Sequence, residues 1–377
     1  MNESCAYKTG FYPNLLAAQG MTHAQIQSRT EAVWQAMFGT DEKTAIYFSV
    51  GDDMGYVCDT GNDDARTEGM SYGMIMAVQL NHKEIFDRIW KWAKTYMYMD
   101  SGPNAGYFAW SVRPDGVKLS DGPAPDGEEY FAMALIFAAH RWGDGEPPYD
   151  YAKQAKSLLH ACIHKGEDGI GTPMWDPQNH LIRFIPGVLF SDPSYHLPHF
   201  YMLFAENCDE QDRAFWLEAA AASRNYLQKC CHHATGLSPE YAEYDGSPRH
   251  LEGHGFFYSD AYRVALNIAL DSVWFGREAW HTEQANAIQQ FFSENGIGLD
   301  DFKIYEIDGS IAGEKALHPY GLLSTLAAAS LAADGPHSKA FLKAFLNLPL
   351  RTDKSRYYDN CLYLFSLLAL TGQYRIY

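Results

Sequence analysis

The chain reads Asp63-Asp64-Ala65-Arg66-Thr67-Glu68-Gly69-Met70-Ser71-Tyr72-Gly73 and continues as Met74-Ile75-Met76-Ala77-Val78. Behind Glu68 this stretch is apolar on nearly every side, which is typical of a helix buried in a core. Glu68 falls in the first turn, where the helix dipole favours a carboxylate. At the edge of a hydrophobic interior, burial raises the pKa of a carboxyl group, as a general acid requires. The residues alone leave open the alternative of an ordinary capping acid.

The same pattern, an apolar helix with a polar head, recurs along the chain and alternates with amphipathic helices. We predict the apolar helices at residues 68–80, 128–137, 195–204, 258–266, 317–333 and 357–365. We predict the amphipathic helices at residues 22–38, 81–99, 149–163, 212–231, 281–294 and 337–346. Long loops precede the apolar helices and short connections follow them. Such a period indicates a repeated helical-pair architecture.

An all-α ring follows from this alternation. Apolar helices need cover on all sides, whereas amphipathic helices need only one buried face. Six pairs can close into a ring with the apolar helices inside, their N-termini and the long loops at one end. The alternative is an open helical solenoid. We favour the closed ring, because helices this apolar would remain exposed in an open array.

Composition limits the kinds of partner. The chain has 377 residues, is 47% hydrophobic and carries a formal net charge of −18. This charge makes nucleic acid and anionic membrane surfaces poor partners, and a neutral substrate fits better. Aromatic residues make up 15% of the chain, and aromatic faces are what a site needs to stack on sugar rings. We expect a single domain over residues 1–377.

Cysteine usage and the amino terminus predict the compartment. The seven cysteines are scattered and form no CxxC pair, so we expect neither a disulfide framework nor a zinc knuckle. They are expected to be small core residues in a reducing compartment. Residues 1–14 show no basic region followed by an apolar run, and no window suits a transmembrane helix. The expectation is a cytoplasmic protein.

Polar residues at the heads of the apolar helices would meet at one rim of a closed ring. They are Glu68, Asp126, Tyr195, Asp260, His318 and Asp359. Two carboxylates that flank a cleft suit glycoside hydrolysis, one as general acid and one as base or nucleophile. Carboxylates on non-adjacent inner helices can provide the wider spacing of an inverting pair, roughly 6.5–9.5 Å.

Three ordered blocks carry a resemblance to a known family. They are Ala65-Arg66-Thr67-Glu68-Gly69-Met70-Ser71-Tyr72-Gly73, Ala124-Pro125-Asp126-Gly127-Glu128-Glu129-Tyr130-Phe131 and Phe257-Tyr258-Ser259-Asp260-Ala261-Tyr262-Arg263. Together they resemble glycoside hydrolase family 8. The resemblance implies an (α/α)6 barrel of six inner and six outer helices, and hydrolysis of β-1,4 glucans, xylans or chitosan with inversion. We expect no cofactor and no metal.

The resemblance also implies roles for individual residues. Glu68 is similar to the family's general acid, and Asp260 to its general base in the subgroup that places the base on this later helix. Asp126 matches the central carboxylate that binds the sugar at the cleavage point. Tyr195 resembles a tyrosine that helps the base to hold the attacking water.

The segment Leu317-His318-Pro319 distinguishes groups within the family. It resembles the loop of the enzymes that release xylose from the reducing end of β-1,4-xylo-oligosaccharides. In that group the loop closes the cleft beyond the departing sugar, and His318 would contact the reducing-end hydroxyl. The alternative for Pro319 is an ordinary proline in the first turn of a helix. Within the family, the alternative activity is an endo-acting β-1,4-xylanase or glucanase.

Two further candidates stay open between a functional and a structural reading. Trp110 is a candidate for sugar stacking, or a core residue. Arg263, one turn after Asp260, can pair with a carboxylate and keep it ionised, or form a structural ion pair. Outside enzymes, a sugar-binding module would need the aromatic residues but not both carboxylates. The Asp-rich residues 52–64 do not match the spacing of an EF-hand calcium loop. The oligomeric state is not predicted.

Overall fold

The computed structural model describes residues 4–377. Residues 1–3 lie outside the described residues. The domain expected over residues 1–377 and the segment 1–14, which was expected to lack a signal peptide, both begin with them. Inner helices span Thr67–Gln79, Pro125–Trp142, Pro198–Asn207, Arg263–Phe275, Pro319–Ala328 and Arg356–Leu370. Outer helices span His23–Phe38, Lys83–Trp92, Tyr151–His164, Arg213–Cys230, Ala279–Asn295 and Ser338–Leu346. Each helix corresponds to one of those predicted from the sequence.

Burial separates the two classes as the hydrophobic pattern predicts. In Thr67–Gln79 every residue except Glu68 is buried, and Arg356–Leu370 is buried from Tyr357 onwards. In Lys83–Trp92 only Phe86, Ile89, Trp90 and Trp92 are buried, on one face. The inner helices therefore form the core and the outer helices cover it.

The inner helices close into a ring. Each packs against the next along the chain, and Arg356–Leu370 packs back against Thr67–Gln79. The fold is therefore an (α/α)6 barrel, and the open solenoid is wrong. Within residues 4–377, no helix has the length and apolar character needed to cross a membrane.

The remaining elements are short. Small helices span Ala6–Thr9 and Leu15–Ala18, a π-helical turn spans Ala93–Met97, and 3-10 turns span Pro193–Tyr195, Glu210–Asp212, Ser259–Tyr262 and Ala329–Leu331. Antiparallel strand pairs are Tyr47–Val50 with Met54–Val57, Ala65–Arg66 with Ser111–Val112, Phe190–Ser191 with Ala242–Glu243, and Ile304–Tyr305 with Ile311–Gly313. Two of these pairs connect loops that precede different inner helices, so they help to fix the rim at which the helices begin.

Two helix starts differ from the prediction. Tyr195 lies in the turn Pro193–Tyr195, and the helix begins only at Pro198. A residue before proline avoids the helical region, so Pro198 prevents an earlier start. Asp260 likewise lies in the 3-10 turn Ser259–Tyr262, before the helix that begins at Arg263. Both side chains therefore project from short turns at the rim.

Candidate active site

Glu68 sits in the first turn of its helix, at the mouth of the barrel. Its Oε1 accepts a hydrogen bond from the Tyr357 hydroxyl at 2.7 Å, and its Oε2 lies 3.1 Å from Arg263 Nη1. Burial raises the pKa of Glu68 to about 8, although the Arg263 charge and the Tyr357 hydrogen bond lower it. Glu68 therefore retains its proton near neutral pH, as a general acid must. The capping-acid alternative does not explain these contacts.

Gly69 allows Tyr357 to reach Glu68. A Cβ atom at this position would lie 2.6 Å from Tyr357 Cε2 and 2.7 Å from its hydroxyl oxygen. No real side chain tolerates that approach without a shift of the ring. The glycine that follows Glu68 is therefore part of the carboxyl group's environment.

Arg263 joins the carboxylates of three different segments. Its Nη1 lies 3.1 Å from both Glu68 Oε2 and Asp126 Oδ2, and its Nη2 lies 3.3 Å from Asp260 Oδ1. Nη1 also donates to the Tyr72 hydroxyl at 2.6 Å. A purely structural ion pair is therefore an incomplete description of Arg263, because its ion pairs lie among the candidate catalytic groups themselves.

Asp126 lies in the first turn of the second inner helix and is buried. Its Oδ1 accepts a hydrogen bond from the backbone of Gly127 at 2.9 Å. Burial raises the pKa of Asp126, and the Arg263 charge opposes this rise. A backbone N–H and a guanidinium fix the orientation of this carboxylate. It can therefore accept a hydrogen bond from a sugar hydroxyl in a defined direction.

Asp260 is the most accessible carboxylate of the group, with a side chain 33% exposed. Its backbone N–H donates to Glu240 Oε1 at 3.1 Å, and Glu240 Oε2 lies 2.9 Å from His254 Nδ1. Glu240 is buried, so a second carboxylate fixes the backbone that carries Asp260. Neither Glu240 nor His254 was identified from the sequence.

Tyr195 lies next to this group. The Arg263 guanidinium carbon is 5.6 Å from the centre of the Tyr195 ring. Burial raises the pKa of Tyr195 well above its ordinary value, so the hydroxyl stays neutral and can donate. Nearby Asp192 is also buried, and its Oδ1 accepts from Ser194 N at 2.7 Å. Burial and the Asp260 charge raise the pKa of Asp192.

His318 precedes the fifth inner helix, which begins at Pro319. His318 Nδ1 lies 2.9 Å from Asp359 Oδ2, and Asp359 Oδ1 accepts from Gly321 N at 2.7 Å. Arg351 Nη1 contacts the same carboxylate at 2.6 Å and the Leu317 carbonyl at 2.7 Å. Asp359 therefore fixes the Leu317-His318-Pro319 segment. Because it accepts from His318 Nδ1, the remaining ring nitrogen, Nε2, is the one available to a ligand.

His318 connects to the carboxylate cluster through Tyr358. The His318 and Tyr358 rings lie 4.7 Å apart, and the Tyr358 hydroxyl donates to the Ser259 carbonyl at 3.2 Å. Ser259 precedes Asp260 in the same turn. The segment predicted to close the cleft is thus physically linked to the turn that carries Asp260.

Trp110 is 37% exposed, so it is not a core residue. Its carbonyl accepts from Thr67 N at 2.9 Å, one residue before Glu68. The Arg66 guanidinium carbon lies 5.3 Å from the centre of its ring. The strand pair Ala65–Arg66 and Ser111–Val112 places this aromatic surface beside the segment that leads into Glu68.

Comparison with known proteins gives the family. The sequence profile of glycosyl hydrolases family 8 matches residues 33–372. The chain belongs to this family. It is therefore a glycoside hydrolase, and the family is an inverting one. The resemblance carried by the three sequence blocks is confirmed.

The chain is similar to several exo-oligoxylanases of this family over nearly their whole length. The chain is 59% identical to the reducing-end xylose-releasing exo-oligoxylanase Rex8A of Paenibacillus barcinonensis, covering 99% of this chain and 98% of that protein. It is 57% identical to the reducing end xylose-releasing exo-oligoxylanase of Halalkalibacterium halodurans, covering 99% and 96%. The solved structure of Rex8A from Paenibacillus barcinonensis complexed with xylose has a TM-score of 0.97 at 58% identity, covering 99% of each chain.

Several residues around the candidate active site were not found from the sequence. Tyr72 and Tyr357 lie inside predicted apolar helices, where a tyrosine also fits as an ordinary core residue. Asp192 precedes Pro193, which predicts only a turn. Glu240 lies in a long loop, with no local pattern that ties it to Asp260. What these residues share is a polar group within an apolar helix or a loop. That feature points to a site only once the folded structure shows which polar groups lie together.

Proposed function

We propose that this family 8 enzyme releases xylose from the reducing end of β-1,4-xylo-oligosaccharides with inversion, Glu68 acting as general acid and Asp260 as general base. The observation that carries the proposal is the arrangement around Arg263. One guanidinium contacts Glu68, Asp126 and Asp260 from three separate inner-helix starts. The raised pKa of Glu68 gives that group the protonation state its role needs.

The acid and the base act on opposite sides of the scissile bond. The Glu68 carboxyl proton passes to the glycosidic oxygen as the bond from that oxygen to the anomeric carbon breaks. Asp260 takes a proton from a water molecule, whose oxygen forms the new bond to the anomeric carbon. A guanidinium separates the two carboxyl groups, which favours the wider spacing of an inverting pair, roughly 6.5–9.5 Å.

The substrate contacts follow from the same cluster. Asp126 accepts a hydrogen bond from a hydroxyl of the sugar at the cleavage point. Arg263 and the Gly127 backbone fix the orientation of the Asp126 carboxylate. The Tyr195 hydroxyl supports the water beside Asp260. Trp110 offers an exposed ring face for stacking on the apolar face of a sugar.

The exo mode depends on the Leu317-His318-Pro319 segment. We infer that His318 Nε2 contacts the anomeric hydroxyl of the departing xylose, since Asp359 occupies the Nδ1 side. The segment is held by Arg351, which contacts the Leu317 carbonyl, and by Asp359, which contacts His318 and the Gly321 N–H two residues beyond Pro319. A rigid wall converts an open cleft into a pocket one sugar deep. The endo-acting alternative requires the cleft to continue past this wall.

We also propose that the chain works as one catalytic domain in the cytoplasm, on short oligosaccharides. Within residues 4–377 all seven cysteines are free and buried, which suits a reducing compartment. A pocket closed on one side suits short chains better than a polymer. Detection of the enzyme in fractionated cells tests the location.

Xylotriose carrying a carbon-13 label at the reducing-end anomeric carbon tests the proposal. We expect the label to appear first in free xylose, with unlabelled xylobiose formed as the α anomer. Labelled xylobiose as the first product would contradict the reducing-end assignment. A β anomer of the new reducing end would contradict inversion.

A matched substrate tests the wall separately. In xylotriitol, reduction has replaced the reducing-end ring with an open alditol, so the anomeric hydroxyl is absent. We expect kcat/KM for xylotriitol to fall well below that for xylotriose. Equal kcat/KM values for the two substrates would indicate that His318 does not contact the reducing-end hydroxyl, and would favour the endo-acting alternative.

A further inference from the structure

Two outer helices bring a second chemical cluster together, away from the carboxylates of the cleft. His160 and His164 lie in the last turns of Tyr151–His164, and Asp212 lies in the 3-10 turn that leads into Arg213–Cys230. One potential ligand atom from each of the three residues lies within 4.8 Å of the others. In the described chain, these residues share no hydrogen bond or ion pair with Glu68, Asp126 or Asp260.

The two histidines are aligned by helix geometry. Residues four apart lie on the same face of a helix, and the His160 and His164 rings stack with centroids 4.2 Å apart. His164 Nε2 lies 2.8 Å from Asp212 Oδ1, and His160 Nδ1 lies 3.8 Å from Asp212 Oδ2. One nitrogen of each ring therefore faces the same carboxylate.

Asp212 is directed at the histidines rather than at its own helix. It occupies the N-cap position of Arg213–Cys230, yet its side chain accepts no capping hydrogen bond there. The side chain is only 5% exposed. Among residues 4–377, His160 and His164 are its only ion-pair partners within 4.0 Å. A buried carboxylate without a fixed cation nearby is costly, and a bound cation removes that cost.

Glu167 completes the pattern of a metal-binding histidine. It lies 2.6 Å from His164 Nδ1, on the side opposite Asp212. A carboxylate on the outer ring nitrogen commonly fixes the tautomer and orientation of a metal-binding histidine and raises its basicity. With Nδ1 held in this way, His164 Nε2 is the ligand atom.

We propose that His160 Nδ1, His164 Nε2 and the Asp212 carboxylate bind a divalent cation of the zinc class, with water in a fourth position. Imidazole nitrogen and carboxylate oxygen are zinc ligands, each at roughly 2.0–2.2 Å from the ion. Around a tetrahedral ion two such atoms lie roughly 3.3–3.6 Å apart, so the cluster closes with a contraction of no more than about 1.5 Å. His160, with a side chain 49% exposed, has room to provide it. The ion would join two outer helical segments, and hydrolysis would not depend on it.

Zinc titration of the metal-free full chain tests this site. We expect one Zn²⁺ per chain by calorimetry, together with a rise in Tm. His164→Asn should abolish both, and His160→Asn should weaken binding at least 10-fold. Glu167→Gln, at an exposed position, should weaken binding about 10-fold without affecting folding. His233→Asn, at an exposed histidine outside the cluster, is the matched control and should bind as the wild type does.

Two measurements separate this site from other zinc-binding groups. Cobalt(II) bound by imidazole and carboxylate gives visible absorption without a thiolate charge-transfer band, whereas cobalt bound by the buried cysteines gives that band. Glu68→Gln tests the cleft carboxylates and should leave zinc affinity unchanged. The proposal is overturned if the His164→Asn and His160→Asn variants bind zinc as tightly as the wild type. It is equally overturned if the wild type binds none, or if the thiolate band appears.

Discussion

Arg263 and Glu68 form a partly buried contact, with Nη1 3.1 Å from Oε2, between residues 195 positions apart in the sequence. The contact joins the fourth inner helix to the first. It also opposes the effect of burial, because the Arg263 charge lowers the pKa of Glu68 while desolvation raises it. The balance of these effects, together with the Asp126 and Asp260 charges that also raise the pKa, sets the pH range in which Glu68 is a proton donor.

The pH dependence of kcat/KM should report this balance. Glu68 must be protonated in the free enzyme, so kcat/KM should fall as the pH rises through about 8. The Tyr357 hydrogen bond stabilises the carboxylate and lowers the pKa. Tyr357→Phe should therefore raise the pKa and move the basic limb upward by roughly 1 pH unit. The Tyr363 hydroxyl contacts Arg29 and not Glu68, so Tyr363→Phe is the control and should leave the basic limb of the pH profile unchanged. A shift to lower pH would contradict this account of Glu68.

The Asp359 carboxylate should act as a positioning residue for His318. Asp359→Asn removes the charged partner of His318 Nδ1, so we expect kcat/KM for xylotriose to fall roughly 10–100-fold. The preference for xylotriose over xylotriitol should shrink as well. Asp353→Asn is the matched control, because Asp353 contacts Arg351 but not His318. An unchanged preference in Asp359→Asn would exclude the positioning role, whatever its effect on stability.

Glu240 should hold the turn that carries Asp260. Glu240→Ala removes the acceptor of the Asp260 backbone N–H. We expect kcat to fall roughly 10–100-fold while KM changes little, because the base is misplaced rather than the substrate. Glu240→Gln keeps an acceptor oxygen for Asp260 but loses the ion pair with His254, and should lie between Glu240→Ala and the wild type. Equal kinetics for all three proteins would show that Glu240 has no effect on the base.

A buried ion pair outside the cleft gives a prediction about stability. Asp271 accepts from Arg224 Nη2 at 2.7 Å and lies 3.0 Å from His281 Nε2. These partners hold the pKa of Asp271 below its ordinary value, against the effect of burial. Asp271→Asn should therefore lower the free energy of unfolding at pH 7 by about 3–5 kcal/mol.

The sign of the pH effect follows from the lowered pKa. The stabilisation by Asp271 is present above the unfolded-state pKa of about 3.9 and is lost as the pH falls through the folded-state pKa. Urea unfolding should thus show that the free energies of unfolding of the wild type and of Asp271→Asn differ less at acidic pH than at pH 7. Glu243→Gln, in the more exposed pair with Arg249, should cost less than about 1 kcal/mol. A difference that widens on acidification would contradict the assignment.

The barrel was predictable from the sequence because its helices differ so clearly in pattern. Glu68 stands at the head of an almost continuously apolar run, and that pattern alone predicts its place in a first turn. The turns that carry Tyr195 and Asp260 were predicted as helix, because the apolar pattern extends through them. The effect of Pro198 on Tyr195 is local and could be predicted from the sequence, whereas nothing comparable marks Asp260.

The contacts of the site could not be predicted, because they join residues distant in sequence. Tyr357 meets Glu68 across 289 positions, and Arg263 meets Asp126 across 137. One local pairing was foreseen, that of Arg263 with a carboxylate, but not its contact with three of them. Only closure of the ring determines which helix starts face each other.

Glu68 and Asp260 divide the catalytic work between proton donation and activation of water, and kinetics on two substrates separate these roles. β-Xylobiosyl fluoride has a leaving group that needs little protonation, whereas xylotriose needs a proton donor. We predict that Glu68→Gln lowers kcat on xylotriose by roughly 10²–10⁴-fold and on the fluoride far less. Asp260→Asn should lower both to a similar extent. A Glu68→Gln variant that hydrolyses xylotriose at the wild-type rate, or loses both substrates equally, would contradict the account.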